Sequence, residues 1–304
     1  MRPLMHDSPI DAIEASRRRA LKQLGLLSLT AMLSGLPVAQ AANTRRIVSI
    51  GGALTEIVYA LQAGAELVGV DTTSIYPELA QKLPSVGYAR SLSVEGVLAL
   101  APTQVIATED AGPPTVLRQL AASGVPVAVL AANHRFEGLL ERVKRVGDIT
   151  GRSAQAASMI QSLQQEWTRA RAQVAQRGGK SVRVLFVLAH SQNQIMVAGR
   201  ETSAQAMMDY VGATNAINGF AGYKPLTPEA AIAAQPDVVL LTEQGAKASG
   251  GIEGALKLPG IEQTPAGHSR RVVALEAMFL LGFGPRLPAA VAALDIALVK
   301  AMQS

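Results

Sequence analysis

The 304-residue sequence contains no cysteine and few aromatic residues, which make up only 4 % of the chain. The absence of cysteine excludes disulfide bonds, thiolate metal ligands, a thiol nucleophile and a lipid anchor on an N-terminal cysteine. Charged residues are also sparse at 17 %, whereas apolar residues reach 49 %, which favours a well-packed globular protein over a disordered one. Because the chain has only five tyrosines, the position of each one is informative.

Signatures of several other function classes are missing as well. The net charge of +5 falls to +3 beyond residue 41, because five of the 28 basic and three of the 23 acidic residues lie in positions 1–41. No basic patch with interleaved aromatic residues remains, so we predict no nucleic-acid partner. The sequence also lacks a Gly-x-Ser-x-Gly motif, a phosphate-binding loop and a dinucleotide fingerprint, so we predict that the protein is not an enzyme.

The four histidines, His6, His134, His190 and His268, do not have the spacing of a zinc site. His6 belongs to the leader described next. We expect His134 and His268 at the surface, whereas His190 directly follows an apolar run.

Residues 1–41 have the layout of an export signal. Basic residues from Arg17 to Lys22 precede an uncharged stretch, and Ala39-Gln40-Ala41 offers small residues for cleavage. The arginines resemble the twin-arginine motif, with Ala20 where that motif has Phe, and general secretion is the alternative route. A membrane anchor, which needs about 20 strongly apolar residues, is less favoured. We therefore predict a soluble periplasmic protein whose signal peptide is cleaved near Ala41.

Short apolar runs then alternate with longer amphipathic ones, which is typical of α/β domains. The predicted strands are 46–50, 67–70, 104–107, 125–130 and 182–189, and the predicted helices are 55–63, 94–100, 115–123 and 137–150. One segment breaks the alternation. From Ser153 to about Gln176 the chain has no glycine or proline and places apolar residues at helical spacing, so we predict a helix of roughly 35 Å that ends at Gly178-Gly179.

The two halves of the chain repeat each other. The segment VEGVLALAPTQVIATED from Val94 aligns with PEAAIAAQPDVVLLTEQ from Pro228 at an offset of 134 residues, which pairs Glu95 with Glu229. With a one-residue adjustment, Tyr88 pairs with Tyr223. Two α/β lobes joined by one long helix would place a ligand cleft between the carboxyl ends of their strands.

This organisation resembles the helical-backbone class of periplasmic substrate-binding proteins, which serve ABC importers of siderophores, cobalamin and haem. The segments that resemble the haem-binding branch are Asp71–Pro77, Leu83–Arg90, Leu92–Gly96, Ala111–Pro114, Val197–Arg200 and Gly222–Leu226. The resemblance implies an α/β fold with two Rossmann-like lobes, each with a central sheet. The implied parts are an export signal at 1–41, an N-terminal lobe at 44–151, a linking helix at 152–178 and a C-terminal lobe at 180–304.

The resemblance also implies the ligand and its site. Haem b would be the transported ligand, with Tyr88 as axial ligand of the iron through its phenolate and Arg90 as the cation beside it. On the opposite lobe, His190 is either a second iron ligand or a cleft or surface residue that does not touch the iron. Tyr223 and Lys224 would line the cleft, with Lys224 near a propionate, and Met196 either packs on the porphyrin or belongs to the core. For Arg286, a structural salt bridge is favoured over contact with a propionate.

Glu95 and Glu229 have a different implied role. In this class, glutamates at these positions dock on arginines of a dimeric permease, although both residues also suit the first turn of a helix. The implied partners are the ABC permease dimer with its ATPase and an outer-membrane receptor that supplies the haem, and the carrier is expected to be a monomer. A siderophore or cobalamin is the alternative ligand, and a haem-processing enzyme is a third, less favoured interpretation.

Overall fold

Two β-sheets organise the chain from Arg45 onward. A computed structural model describes residues 45–176, 181–191 and 194–303, without the side chains at 189–191 and 194. The predicted signal at 1–41 and the predicted helix end at Gly178-Gly179 lie outside the described residues.

The first sheet is fully parallel, with the strand order β2-β1-β3-β4. Its strands are β1 (Ile47–Ile50), β2 (Leu67–Val70), β3 (Gln104–Thr108) and β4 (Val127–Leu130), and its helices are α1 (Gly52–Ala60), α2 (Val94–Leu98), α3 (Pro114–Ala122) and α4 (Phe136–Thr150). The predicted elements are confirmed with shifts of a few residues at their ends. Helix α1 begins earlier than predicted because Gly51, at a φ of 117°, turns the chain directly from strand to helix.

The long helix α5 covers Ser153–Gln176, as predicted. The second sheet follows it, with the order β10-β9-β5-β6-β8 and with β7 beside β5. Its strands are β5 (Arg183–Ser191), β6 (Gln194–Ala198), β7 (Thr214–Asn215), β8 (Tyr223–Pro225), β9 (Val238–Thr242) and β10 (Val272–Leu275). Strands β6 and β8 run antiparallel to their neighbours, whereas β5, β7, β9 and β10 are parallel.

The remaining helices belong to this second half. They are α6 (Ser203–Tyr210), α7 (Pro228–Ala234), α8 (Glu243–Ala248), α9 (Gly251–Leu256), α10 (Pro265–His268), α11 (Ala277–Leu281) and α12 (Leu287–Gln303). Short 3₁₀ turns cover Gly64–Glu66, Glu78–Lys82 and Ile261–Gln263. Within the described ranges, no helix combines the length and the apolar character needed to cross a membrane.

One apolar core extends across both lobes. It runs from Leu139 of α4 through Leu163 of α5 to Phe186 of β5 and Leu294 of α12, all at most 3 % exposed. An aromatic cluster reinforces this junction. The Trp167 ring of α5 stacks on Phe136 at 4.6 Å and meets Tyr210 edge-on at 4.6 Å, and each such pair contributes about 0.5–1.5 kcal/mol beyond burial alone. The helix therefore packs against elements of both lobes rather than only connecting them.

The internal repeat is confirmed in the backbone. Helices α2 and α7 begin 134 residues apart, and strands β3 and β9 have the same offset at both ends. Between helix and strand, Ala101 and Gln235 both adopt a left-handed conformation, at φ 45° and 44°. Two non-glycine residues with the same uncommon φ at the same offset indicate duplicated units rather than two unrelated helix–strand pairs.

Candidate functional site

The segment before Tyr88 extends the edge of the first sheet. The Val70 N–H donates to the Pro84 carbonyl oxygen at 3.0 Å, and the Val86 N–H donates to the Val70 carbonyl oxygen at 2.9 Å. Beyond the end of β2, the Thr72 N–H donates to the Gly87 carbonyl oxygen at 3.0 Å. This pairing carries the chain to the carboxyl edge of the sheet, where open α/β sheets bind ligands.

A tight turn then presents Tyr88. Gly87 adopts φ 92°, and the Ser91 N–H donates to the Tyr88 carbonyl oxygen at 2.8 Å. Ala89, only 6 % exposed, anchors the turn, because its carbonyl oxygen accepts from the Gly112 N–H at 2.8 Å. With Ala89 turned into the protein, its neighbour Tyr88 faces outward and is 45 % exposed. The loop therefore presents an accessible phenol on a fixed backbone.

Arg90 connects Tyr88 to a carboxylate. One terminal nitrogen of its guanidinium donates to the Tyr88 hydroxyl oxygen at 2.6 Å, and the other donates to Asp110 Oδ2. Partial burial would lower the pKa of Arg90, but the charge of Asp110 and the contact with Tyr88 outweigh it and raise the pKa. Arg90 is therefore a cation held between the Tyr88 hydroxyl and the Asp110 carboxylate.

Asp110 is the site residue that the sequence interpretation missed. It follows β3, so it also stands at the carboxyl edge of the first sheet. The repeat aligns Asp110 with Gln244, so a carboxylate in the first half corresponds to an amide in the second.

Tyr223 occupies the matching position in the second lobe. Gly222 adopts φ 76° just before it, as Gly87 does before Tyr88. Tyr223 is more buried than Tyr88, and burial raises its pKa. The hydroxyls of Ser203 and Thr202 and the charge of Arg90 offset part of this rise. Arg90 is thus close enough for its charge to act on Tyr223 as well as on Tyr88.

The other predicted residues of the second lobe lie on adjacent strands. Lys224 of β8 is exposed, with its ammonium 4.8 Å from the centre of the Phe220 ring. Met196 of β6 is half-buried between Leu188 of β5 and Pro225 of β8. His190 lies at the carboxyl end of β5, and its side chain is outside the described part of the structure.

Two further histidines have different environments. His268 is exposed, as expected. The surface assignment of His134 is wrong, because this side chain is half-buried against the Phe283 ring at 5.3 Å. Burial and the charge of Arg142 lower its pKa, against the opposing effect of Asp110 and Glu109. Across the described ranges, no three His, Asp or Glu side chains gather into a potential metal site.

Glu95 and Glu229 have equivalent surroundings. Ser93 caps α2 by accepting from the Gly96 N–H at 2.9 Å, and Thr227 caps α7 by accepting from the Ala230 N–H at 3.2 Å. Each glutamate is the second residue of its helix, is exposed, and forms no ion pair with the described part of the chain. The helix start stabilises a carboxylate there, and the carboxylate remains available to a partner.

The sequence model of the family described as "Periplasmic binding protein" matches residues 47–278, which include both sheets and the Tyr88 loop. The chain belongs to the periplasmic binding protein family. Such a protein binds and releases its ligand without converting it, so this member is a binding protein and not an enzyme.

Two solved structures are similar to this periplasmic binding protein over nearly their whole length. The "periplasmic heme-binding protein BhuT in complex with two hemes" is 46 % identical with a TM-score of 0.81, covering 85 % of this chain and 99 % of that one. The "periplasmic heme-binding protein RhuT" from Roseiflexus sp. RS-1 is 40 % identical with a TM-score of 0.83, covering 86 % and 100 %.

Two curated relatives are more distant. The "uncharacterized ABC transporter substrate-binding lipoprotein YvrC" of Bacillus subtilis is 26 % identical over 80 % of this chain and 76 % of its own length. The "vitamin B12-binding protein" of Yersinia pestis is 36 % identical over 119 residues, which is 39 % of each chain.

Proposed function

We propose that the protein is an exported carrier that binds ferric haem between its two lobes and delivers it to an ABC importer. The observation that carries the proposal is Tyr88, an exposed phenol with the Arg90 guanidinium 2.6 Å from its oxygen. Ferric iron binds hard anionic oxygen, and tyrosinate is an established axial ligand of haem. The likeness to BhuT and RhuT, both named as haem-binding proteins, supports haem as the ligand.

Arg90 tunes the iron ligand and does not hold a propionate. Both of its terminal nitrogens are engaged, one by Tyr88 and the other by Asp110. Lys224 is exposed on the opposite lobe, so it is the candidate to pair with a haem propionate.

The second lobe supplies the other face of the haem. His190 is the candidate second axial ligand, because imidazole commonly ligates haem iron and because His190 lies at the carboxyl end of β5. Tyr223 contacts the haem as a neutral phenol, because burial raises its pKa and disfavours the phenolate that ligation would need. Met196, half-buried on β6, packs against the porphyrin.

The leader and the two glutamates support export of this carrier and its docking on an importer. Residues 1–41 direct export, with cleavage near Ala41, and the periplasmic protein takes haem from an outer-membrane receptor and acts as a monomer. Glu95 and Glu229 dock on the two halves of an ABC permease dimer that is driven by its ATPase. The exposed, repeat-related positions of these glutamates support this assignment, as does the relative named as an ABC transporter substrate-binding lipoprotein.

A titration of the purified protein with hemin and, separately, with cyanocobalamin tests the proposed ligand. We expect saturable binding of hemin with the absorption bands of a phenolate-ligated ferric haem, and no saturable change with cyanocobalamin. The opposite result would support the alternative carrier suggested by the relative that is named for vitamin B12. Absence of any spectral change with hemin would refute the proposal.

Asp110→Asn should weaken hemin binding by about 3- to 10-fold, since a lost charge-assisted contact of about 1 kcal/mol is worth roughly fivefold in affinity. Without Asp110, the Arg90 guanidinium is free to turn away from Tyr88. The Arg90–Asp110 pair is exposed, so the free energy of unfolding should change by less than about 1 kcal/mol. Glu109→Gln, which neutralises the neighbouring exposed carboxylate, is the matched control, and an equal loss in both variants would contradict the specific role of Asp110.

A further inference from the structure

A second contact between the lobes lies away from α5. Arg286, just before α12, reaches Glu56 of α1 in the first lobe with both arms of its guanidinium, at 2.9 Å from Nε to Oε2 and 2.5 Å from a terminal nitrogen to Oε1. The same terminal nitrogen lies 3.1 Å from Oε2 of Glu276 in the second lobe. The guanidinium also stacks 4.1 Å from the centre of the Tyr76 ring. We call Arg286, Glu56, Glu276 and Tyr76 the clasp.

The charged groups of the clasp are largely shielded from water. The Glu56 side chain is 4 % exposed, Arg286 22 % and Glu276 25 %. Opening the lobes would break both Arg286–Glu56 hydrogen bonds together with the contact between the guanidinium and the Tyr76 ring. The expected structural salt bridge of Arg286 is therefore present, and it spans the lobes.

The second-lobe side of the clasp is held rigidly. The Glu276 carboxylate caps α11 by accepting from the N–H groups of Met278 at 2.5 Å and Phe279 at 2.7 Å. Between α11 and Arg286, the Phe283 carbonyl oxygen accepts from the buried Arg142 side chain of α4 at 2.8 Å. The segment 276–286 is thus fixed on the first lobe by ionic and backbone contacts.

On the first-lobe side, the clasp meets the loop that presents the predicted iron ligand. Tyr76 lies in the loop after β2, between Thr72 and the segment 84–87. The Thr72 N–H donates to the Gly87 carbonyl oxygen at 3.0 Å, directly before Tyr88. Arg286 therefore touches one end of the loop whose other end carries Tyr88.

We propose that Arg286 is a positioning residue that fixes the separation of the two lobes, so that the cleft is held open at one width in the free protein. A preformed cleft of fixed width suits a flat, rigid ligand, because little conformational entropy is lost on binding. The inference deepens the proposed haem-carrier function, but the lobe separation can be measured without haem.

The absence of cysteine makes that measurement direct. Single cysteines introduced at exposed Arg118 of α3 and exposed Lys257 after α9 would carry one spin label on each lobe. In the otherwise unchanged protein we expect one narrow distance distribution that is the same with and without hemin. In Glu56→Gln with Arg286→Met, which removes both charges together, we expect the distribution of the free protein to broaden about twofold and hemin to dissociate about 10-fold faster, with the phenolate bands retained.

The control is Glu66→Gln with Arg152→Met, an ion pair of similar burial that does not join the two sheets, and it should leave the distribution unchanged. If the clasp double variant does not fold, Tyr76→Ala tests the contact between the ring and the guanidinium at an exposed position, with a smaller broadening expected. An unchanged distribution in the folded clasp variant, or in Tyr76→Ala if that variant is needed, would overturn the inference. Failure of hemin to bind at all would refute the haem carrier and leave the label distances as the test of the clasp.

Discussion

Tyr88→Phe is expected to lower the affinity for hemin by at least about 100-fold, or roughly 2.7 kcal/mol. The Tyr88 oxygen is the proposed ligand of the iron, and phenylalanine has no such oxygen. The ring itself stays in place, because the turn is held by the backbone of Gly87, Ala89 and Ser91 rather than by the phenol. A hemin titration followed by absorption should show the loss of the phenolate bands in any haem that remains bound.

Tyr223→Phe is the matched control for this prediction. The two tyrosines occupy related positions after a left-handed glycine, but burial raises the pKa of Tyr223 and no guanidinium is hydrogen-bonded to it in the described residues. We expect a change in affinity of about threefold or less, with the phenolate bands intact. A larger loss in Tyr223→Phe than in Tyr88→Phe would transfer the iron-ligand role to the second lobe.

Much of this fold could be predicted because it depends on local patterns. A run without glycine or proline predicts helix α5, and the repeat predicts the pairs Tyr88 with Tyr223 and Glu95 with Glu229. The repeat works because the residue types that set helix starts, turns and buried strands act within a few positions of each other. The corresponding residues then reach equivalent places in the two lobes.

The contacts that could not be predicted join residues far apart in the sequence. Arg286 and Glu56 are 230 positions apart, and nothing in the sequence near either one specifies the other. Asp110 is one of several acidic residues that follow strands, and only the folded chain shows that Arg90 reaches it. A lone histidine such as His134 has no local signal for burial and is therefore predicted at the surface, whereas Phe283 from the second lobe covers it.

Reversing both charges in Glu95→Lys with Glu229→Lys should abolish stimulation of the transporter ATPase and hemin uptake. A permease built from two equivalent halves presents the same surface twice, so a carrier that meets it must offer matching charges on both lobes. The two glutamates satisfy this requirement, since each is the exposed second residue of a capped helix at the same offset. Reversal places a cation opposite the proposed arginines of each half, which is repulsive at both contacts.

Because these glutamates also stabilise the starts of their helices, we expect a small loss of stability beside the large loss of uptake. Losing a carboxylate from the first turn costs about 0.3–1 kcal/mol per helix, so the melting temperature should fall by only a few degrees. Hemin affinity should not change, because neither glutamate contacts Tyr88, Arg90 or Asp110 in the described residues. Binding and stability of the double variant are therefore measured beside uptake. An uptake defect counts only when hemin affinity is unchanged and the melting temperature falls by no more than these few degrees.

A control with the same change in net charge separates docking from general electrostatics. Glu166→Lys on α5 with Glu262→Lys in the 3₁₀ turn reverses two exposed glutamates that the repeat does not relate. If long-range charge alone guides the carrier to its permease, both double variants should lose uptake equally, and the loss should shrink at high salt. We expect the control to retain uptake and the variant at Glu95 and Glu229 to lose it at every ionic strength, because the proposed contacts are made within the docked complex. Equal losses of uptake in the two variants would contradict the docking role.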